Sequence, residues 1–374
     1  MIPMSNGDSN RKDEHVRIAE ELRGERRGGF DDVRFMHHSF SELSRDAVDL
    51  GTTITGRAWS VPFYINAMTG GSEKTGRINA DLARAAAATG VAMASGSVSV
   101  ALRSPELAPT FRVIRQNAPE AFLFANVGAG VTVEQARQAV GLLDADALQI
   151  HVNPAQELVM PEGERDFRGW LDRIEEIVDG VEVPVVVKEV GFGLSARSIA
   201  QVVARGVRTV DVSGRGGTDF AAIENHRRAG REYGYLAGWG QTTVECLLEA
   251  LPFSSAPSAQ PSGRQPVEVL ASGGVRTPLD VVRALALGAR AVGVSGHFLH
   301  ILLEDGVDAL IGELTSWIDQ IRTLLTLVGA ADVPALGSTD LLITGASAEF
   351  ARLRGIDVRR LARRSDGSPG LDQT

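Results

Sequence analysis

One feature limits this chain more than any other: eight short β-branched or apolar runs, each followed by a stretch with helical patterning. The runs are Val61–Met68, Val91–Ser95, Phe122–Val127, Ala147–His151, Val185–Glu189, Thr209–Ser213, Val267–Ser272 and Ala291–Ser295. Strand-then-helix repetition is how a parallel sheet is written, because parallel neighbours need a crossover long enough to return over the sheet face. None of the runs alternates cleanly between apolar and polar residues, as expected for strands covered on both faces. Eight equivalent units favour closure into a (β/α)8 TIM barrel over an open sheet.

The helices between the runs carry recognisable ends. Arg77–Thr89 is Ala-rich and stops at Gly90, which suits a left-handed cap. Thr132 and Gln135 form a capping box, and Thr277-Pro278 gives an N-cap followed by proline in the first turn. Gly206 and Gly288 close two further helices, and Trp170–Gly180 reads as an amphipathic helix with a solvated face. Outside the repeat, residues 1–60 form an N-terminal extension, either decoration or a lid that contributes to the active site. The barrel spans 61–364. Ser254–Gln265 is a Ser/Pro/Gly-rich loop, and Ser365–Thr374 reads as a disordered tail.

Composition narrows the function classes. With 374 residues, 44% of them hydrophobic, the chain can bury a large core. A net charge of −9 gives no general attraction to nucleic acid or to an anionic membrane, so any anion site must be local. The single Cys246 excludes an intrachain disulfide and a thiolate metal cluster, and reads as a small buried hydrophobe. Met1–Asn10 lacks the apolar core of a signal peptide, and no segment approaches ~18 unbroken apolar residues, so a cytoplasmic protein is expected.

In a barrel, polar residues at the carboxyl ends of strands are functional candidates. The first strand ends in Ala67-Met68-Thr69-Gly70-Gly71, the second in Ser95-Gly96-Ser97 and the third at Asn126. The fifth ends at Lys188-Glu189 and the sixth in Ser213 to Thr218. Small and amide residues there leave room for a flat ligand. The last two ends, Ser272-Gly273-Gly274-Val275-Arg276 and Val294-Ser295-Gly296, together suit a phosphate, although either glycine pair alone would be a plain turn. His151 to Glu157, after the fourth strand, is the densest polar cluster, and Glu157 can ligate Mg2+. Lys188 lies in an apolar run and is costly to bury unless it meets an anion or an electron-rich ring. The run Arg11-Lys12-Asp13-Glu14-His15 reads either as a solvated face or as a clamp on a phosphate. Gly191-Phe192-Gly193-Leu194-Ser195-Ala196, with Asp211 about 20 residues on, matches a dinucleotide-binding turn. Its strand ends in Lys188-Glu189 and its unit is one of eight equivalents, so that reading is set aside.

Taken in order, these strand ends resemble the type 2 isopentenyl-diphosphate isomerases, flavin-dependent enzymes of isoprenoid biosynthesis. The resemblance runs from Arg11 to about Leu299, through Arg11–His15, Ala67–Gly71, Leu123–Asn126, His151–Glu157, Pro161–Gly163, Arg165–Trp170, Val187–Gly193 and Asp211–Thr218. It implies interconversion of isopentenyl and dimethylallyl diphosphate with FMN, Mg2+ and NAD(P)H as reductant, in a homo-oligomer (tetramer or octamer). By the same resemblance Ala67, Met68, Thr69, Ser97, Asn126, Lys188, Ser213 and Thr218 contact the flavin, and Gly273, Gly274, Arg276, Ser295 and Gly296 its phosphate. Arg11, Lys12, Ser97, His151, Asn153 and Gln156 contact substrate, and Glu157 holds the metal. The implied chemistry uses reduced FMN as acid and base through ring N5, with Gln156 beside the alkene, Lys188 favouring the anionic reduced ring and His151 as the third catalytic residue.

The chain departs from the family at one place. After Gly96-Ser97 the family usually has Gln-Arg, whose Arg touches the diphosphate, whereas this chain has Val98-Ser99. Arg103, four residues on, is the available substitute. Two other classes share parts of the pattern. An FMN-dependent 2-hydroxy-acid oxidase needs a His base near the seventh strand, and no His lies between His226 and His297. A flavin-binding sensor without catalysis would not need His151, Asn153, Gln156, Glu157 and Lys188.

Overall fold

The computed structural model describes residues 7–22, 24, 28–254 and 266–367. Strands β1 (Phe63–Ile65), β2 (Ala92–Ala94), β3 (Leu123–Gly128), β4 (Ala147–His151), β5 (Val185–Lys188), β6 (Thr209–Asp211), β7 (Glu268–Ser272) and β8 (Ala291–Val294) close a barrel in chain order. Every neighbouring pair is parallel, including β8 with β1. Each run read from the sequence holds one of these strands, except that β3 extends one residue past its run, to Gly128.

Both strand faces are buried, which explains the missing polar alternation. Ile65, Met93, Ala125, Ile150, Val187 and Val292 pack outward under the helices. The inward positions, two residues apart by the strand period, split into two layers. The lower layer is apolar, with Tyr64, Phe124, Ala147, Val186, Leu270 and Ala291 around Trp59. Two residues further along, the same inward faces carry Asn66, Asn126, Gln149, Lys188 and Ser272, all buried. The barrel is therefore plugged below and polar above. Trp59 reaches the plug from a hairpin, Thr52–Ile54 with Arg57–Trp59, whose turn residues Thr55 and Gly56 both have positive φ (50° and 79°), as a type I′ turn requires.

The helix ends largely follow the sequence. Gly90 is left-handed, and capping boxes form at Thr132/Gln135 and at Thr277/Asp280. The first barrel helix begins one turn earlier than expected, at Glu73, because Ser72 and Thr75 make a further capping box. Val33–Phe35 of the extension pairs antiparallel with Leu341–Ile343, so residues before 61 and beyond β8 form one outer ribbon rather than separate units. Ser365 is tied down: its N–H and hydroxyl donate to Asp340 at 2.8 and 2.6 Å. Ser365–Gly367, expected in the tail, are therefore part of the folded chain, and 368–374 lie outside the described residues. So does most of the Ser254–Gln265 loop. Among the described residues no helix is long and apolar enough to cross a membrane.

Candidate active site

A cavity of about 850 Å3 opens at the carboxyl ends of the strands. Every residue to which the resemblance gives a role lines it: Ala67, Met68, Thr69, Ser97, Asn126, Lys188, Ser213, Thr218, Gly273, Gly274, Arg276, Ser295, Gly296, Arg11, Lys12, His151, Asn153, Gln156 and Glu157. The strand ends supply the floor and walls, and the helix Gly7–Glu21 lies over the mouth with Val16 and Ala19 facing in.

The run Arg11–His15 is a docking surface, not a solvated face. The Asp13 carboxylate accepts from Ser72, the N-cap after β1, and Glu14 accepts from Arg227 Nε at 3.2 Å. His15 Nε2 approaches Glu224 Oε1 to 3.1 Å, and Arg11 pairs with Glu162 at 3.4 Å. One turn on, Glu20 meets His300 at 2.7 Å. These contacts come from four different strand ends, so they fix the helix in one position over the barrel.

Glu224 and Arg227 are the residues that sequence reasoning missed. Glu224 is fully buried on the helix Phe220–Arg227, and its Oε1 accepts Gln156 Nε2 at 2.9 Å. Arg227 reaches Glu224, Glu14 and Glu162 with its three guanidinium nitrogens. Burial alone would push the Glu224 carboxyl up, but His15, Gln156 and Arg227 outweigh it and hold it at about 2. Gln156 Oε1 in turn accepts Asn153 Nδ2 at 3.1 Å. Both ends of the Gln156 amide are thereby oriented, which leaves one N–H of Nε2 for the cavity. The only local signal for Glu224 was an acid following the apolar Ala221-Ala222-Ile223.

His151 stands in a side-chain chain. Asn126 donates to Gln149 Oε1 at 3.2 Å, so Asn126 Oδ1 must accept from His151 Nδ1 at 2.8 Å. That fixes the proton on Nδ1 and leaves a lone pair on Nε2. Burial, reinforced by Lys188 and Lys12, lowers His151 to about 3, so the ring is neutral near pH 7 until an anion arrives. The Lys188 ammonium donates to Glu189 O at 2.7 Å; burial draws it down while Asp211 and Glu189 oppose that fall.

The two glycine loops behave differently. Gly273 and Gly274 have φ of 101° and 73° and press against Gly214 O and Gly28 N. Gly296 opens the helix Gly296–Asp305 with free space where a Cβ would sit, and it lines the same cavity as Gly273 and Gly274. Arg276 lines the cavity but also donates to Gly24 O at 2.6 Å, which ties the extension to the loop. The dinucleotide-like turn is excluded physically. Its N–H groups, from Val190 to Gly193, all donate to Glu189 Oε2, so none is left to cradle a phosphate.

Val98 is fully buried, and Ser99 starts the helix Ser99–Arg103. Ser99 and Arg103 both line the cavity, one helical turn apart on the same face.

A protein of Streptomyces sp. (strain CL190), named isopentenyl-diphosphate delta-isomerase, is 52% identical over 366 residues, 97% of this chain and 98% of its own length. One of the same name from Latilactobacillus sakei subsp. sakei (strain 23K) is 48% identical over 91% of this chain and 95% of its own. The chain belongs to the isopentenyl-diphosphate delta-isomerase family. Residues 132–343 of this isomerase also match the family described as FMN-dependent dehydrogenase, which places it in the type 2 branch. The barrel of the isomerase is shared with solved structures at low identity. A flavocytochrome b2 variant with benzoylformate superimposes with a TM-score of 0.65 at 21% identity, over 87% of this chain and 78% of that one. A mandelate oxidase variant with the monooxide FMN adduct does so at 0.61 and 19%, over 88% and 92%.

Proposed function

We propose that this isomerase interconverts isopentenyl diphosphate and dimethylallyl diphosphate by a flavin-assisted 1,3-proton shift, with FMN, Mg2+ and NAD(P)H. The observation that carries the reading is one cavity that unites a polar floor, a glycine-lined loop suited to an anion and a lid helix that brings Arg11 and Lys12 to the mouth. The floor fits a flavin: Thr69 Oγ1 is buried there without a hydrogen-bond partner, as a group awaiting a ligand would be. Gly273, Gly274 and the amide end of Gly296–Asp305 fit its phosphate. Bound and reduced by NAD(P)H, FMN supplies the acid–base group through its ring N5.

The chain's own residues do the rest. Arg11 and Lys12 hold the diphosphate, assisted by His151 once it gains a proton on Nε2. Gln156, its amide fixed by Glu224 and Asn153, directs its remaining N–H at the alkene end of the substrate. The lid helix excludes water from a reaction whose transition state is cationic. Lys188 supplies positive charge beside the ring.

Glu157 accepts from Asn153 and from the Glu164 N–H at 3.0 and 2.8 Å. Among the described residues no three His, Cys, Asp or Glu side chains gather to hold a metal. Mg2+ therefore arrives with the diphosphate, whose oxygens complete the coordination. In titration calorimetry, Mg2+ alone should give no saturable binding, and Mg2+ with inorganic diphosphate should. Glu157→Ala should abolish the Mg2+-dependent part of that affinity; unchanged Mg2+ dependence would remove Glu157 from this role.

Arg103 takes the place of the family's diphosphate arginine. Loss of one charge-assisted bond is worth ~1.5–3 kcal/mol, so Arg103→Ala should raise KM for isopentenyl diphosphate by about 10-fold or more with kcat little changed. Adding Ser99→Arg should restore KM, because positions 99 and 103 share a helix face. An unaltered KM in Arg103→Ala would exclude the substitution. The reading as a whole is tested by supplying the anaerobically reduced holoenzyme with Mg2+ and isopentenyl diphosphate, where failure to form dimethylallyl diphosphate would overturn it.

A further inference from the structure

Beneath the cavity floor lies a charged group that the proposed reaction does not use. Asp211 ends β6 with no exposure at all, directly across the register from Lys188 on β5. It does not line the cavity; Asn66 and Ser272, which do, stand between. Everything that contacts its carboxylate is a donor. Tyr64 Oη donates to Oδ2 at 2.9 Å, Asn66 Nδ2 at 3.4 Å, and Ser272 Oγ lies 2.9 Å from Oδ2 and 2.8 Å from Oδ1. The Ser213 N–H donates to Oδ1 at 3.1 Å. The Asp211 side chain is thus ringed by four groups able to donate to it.

Such a carboxylate is more than a structural tie. It braces β1 and β7, and it holds Ser213, a cavity residue, at a φ of 36° that a non-glycine residue rarely adopts. Its charge has one buried cation as register neighbour, Lys188. Asp211 is one of two anions, with Glu189, that oppose the effect of burial on that ammonium. The other ionisable group beside Lys188 is His151, whose imidazole the ammonium helps to keep neutral.

We propose that Asp211 is a positioning residue that offsets part of the Lys188 charge and so sets how readily the bound flavin is reduced. This rests on the FMN reading above. The paired charges make the floor less positive than Lys188 alone would, so the anionic reduced ring is stabilised only as far as the pair permits. Tyr64, Asn66 and Ser272 control how much of the Asp211 charge is felt above them.

The test is the two-electron potential of FMN in the holoenzyme, measured by anaerobic dye equilibration, a readout independent of turnover. Asp211→Asn keeps the shape and removes the charge. It should raise the reduced-to-oxidised ratio at fixed potential by on the order of tenfold, a positive shift of about 30 mV for a two-electron couple. Tyr64→Phe removes one donor and leaves the carboxylate less neutralised, so it should shift the potential the opposite way. The second variant keeps the idea testable if Asp211→Asn does not fold. Unchanged potentials, or shifts of the same sign in both variants, would overturn the proposal, whatever happens to Tm. A wild-type protein that does not retain FMN would instead overturn the cofactor reading.

Discussion

Glu224→Leu is expected to lower stability by about 3 kcal/mol and turnover on the order of 100-fold while leaving FMN bound. The side chain is fully buried and accepts from Gln156 and Arg227, so its removal leaves the Gln156 amide without an acceptor and takes one of three from Arg227. Arg227 keeps Glu14 and Glu162, which holds the stability loss near the lower end for a broken buried pair. The turnover loss has a separate origin: without Glu224 the Gln156 amide is fixed only by Asn153 and can rotate away from the reacting carbons. Glu224→Gln, which preserves shape, should recover much of the stability but less of the turnover, since one of its amide hydrogens must face a donor. The acid limb offers a further check. A carboxyl held at about 2, below its usual value of 4.5, contributes stability above pH 4.5 that is lost as pH falls towards 2. Acid denaturation monitored by circular dichroism should therefore show a weaker pH dependence between about 4.5 and 2 in Glu224→Gln. An unchanged pH dependence and full turnover would contradict the role given to Glu224.

Gly273→Val should yield a protein that folds poorly or emerges without FMN. A Cβ on Gly273 would sit 2.0 Å from Gly214 O, and the backbone there has a φ of 101°. Strain of ~1–3 kcal/mol and overpacking of similar size fall on the loop proposed to cradle the flavin phosphate. Gly312→Ala is the control, since nothing lies within 4 Å of its Cβ position, its φ is not positive and it sits on the helix Val307–Leu327 outside the cavity lining. It should retain FMN. Flavin absorbance after gel filtration separates the two, and equal loss in both variants would show that the loops do not work as described.

The barrel was legible because its signals are local. Each strand is a short apolar run, and each carboxyl end announces itself by glycine, serine or amide residues within a few positions. The inward polar layer follows from the strand period once the end is known, which is why Asn126 and Lys188 could be chosen from sequence. The lid was only half legible. A mixed-charge run fits solvent as well as it fits partners, and the partner of Glu14 lies 213 residues away. Glu224 was not legible at all, since its partner Gln156 is 68 residues distant and the helix between them carries no unusual pattern. Cys246 was read correctly: it is buried, and burial pushes its thiol well up. The pairing of Val33–Phe35 with Leu341–Ile343 escaped for the same reason as Glu224, because nothing local specifies a register between opposite ends of a chain.

The central claim is that this cavity shifts the double bond of isopentenyl diphosphate by adding a proton at one carbon and removing another two carbons away, without net redox change. Its most direct test is to run the reduced holoenzyme with Mg2+ and isopentenyl diphosphate in deuterated water and follow the products by NMR. The account predicts dimethylallyl diphosphate that carries solvent deuterium, with the flavin still reduced at the end. An unchanged substrate pool, or a product formed in step with flavin oxidation, would contradict it.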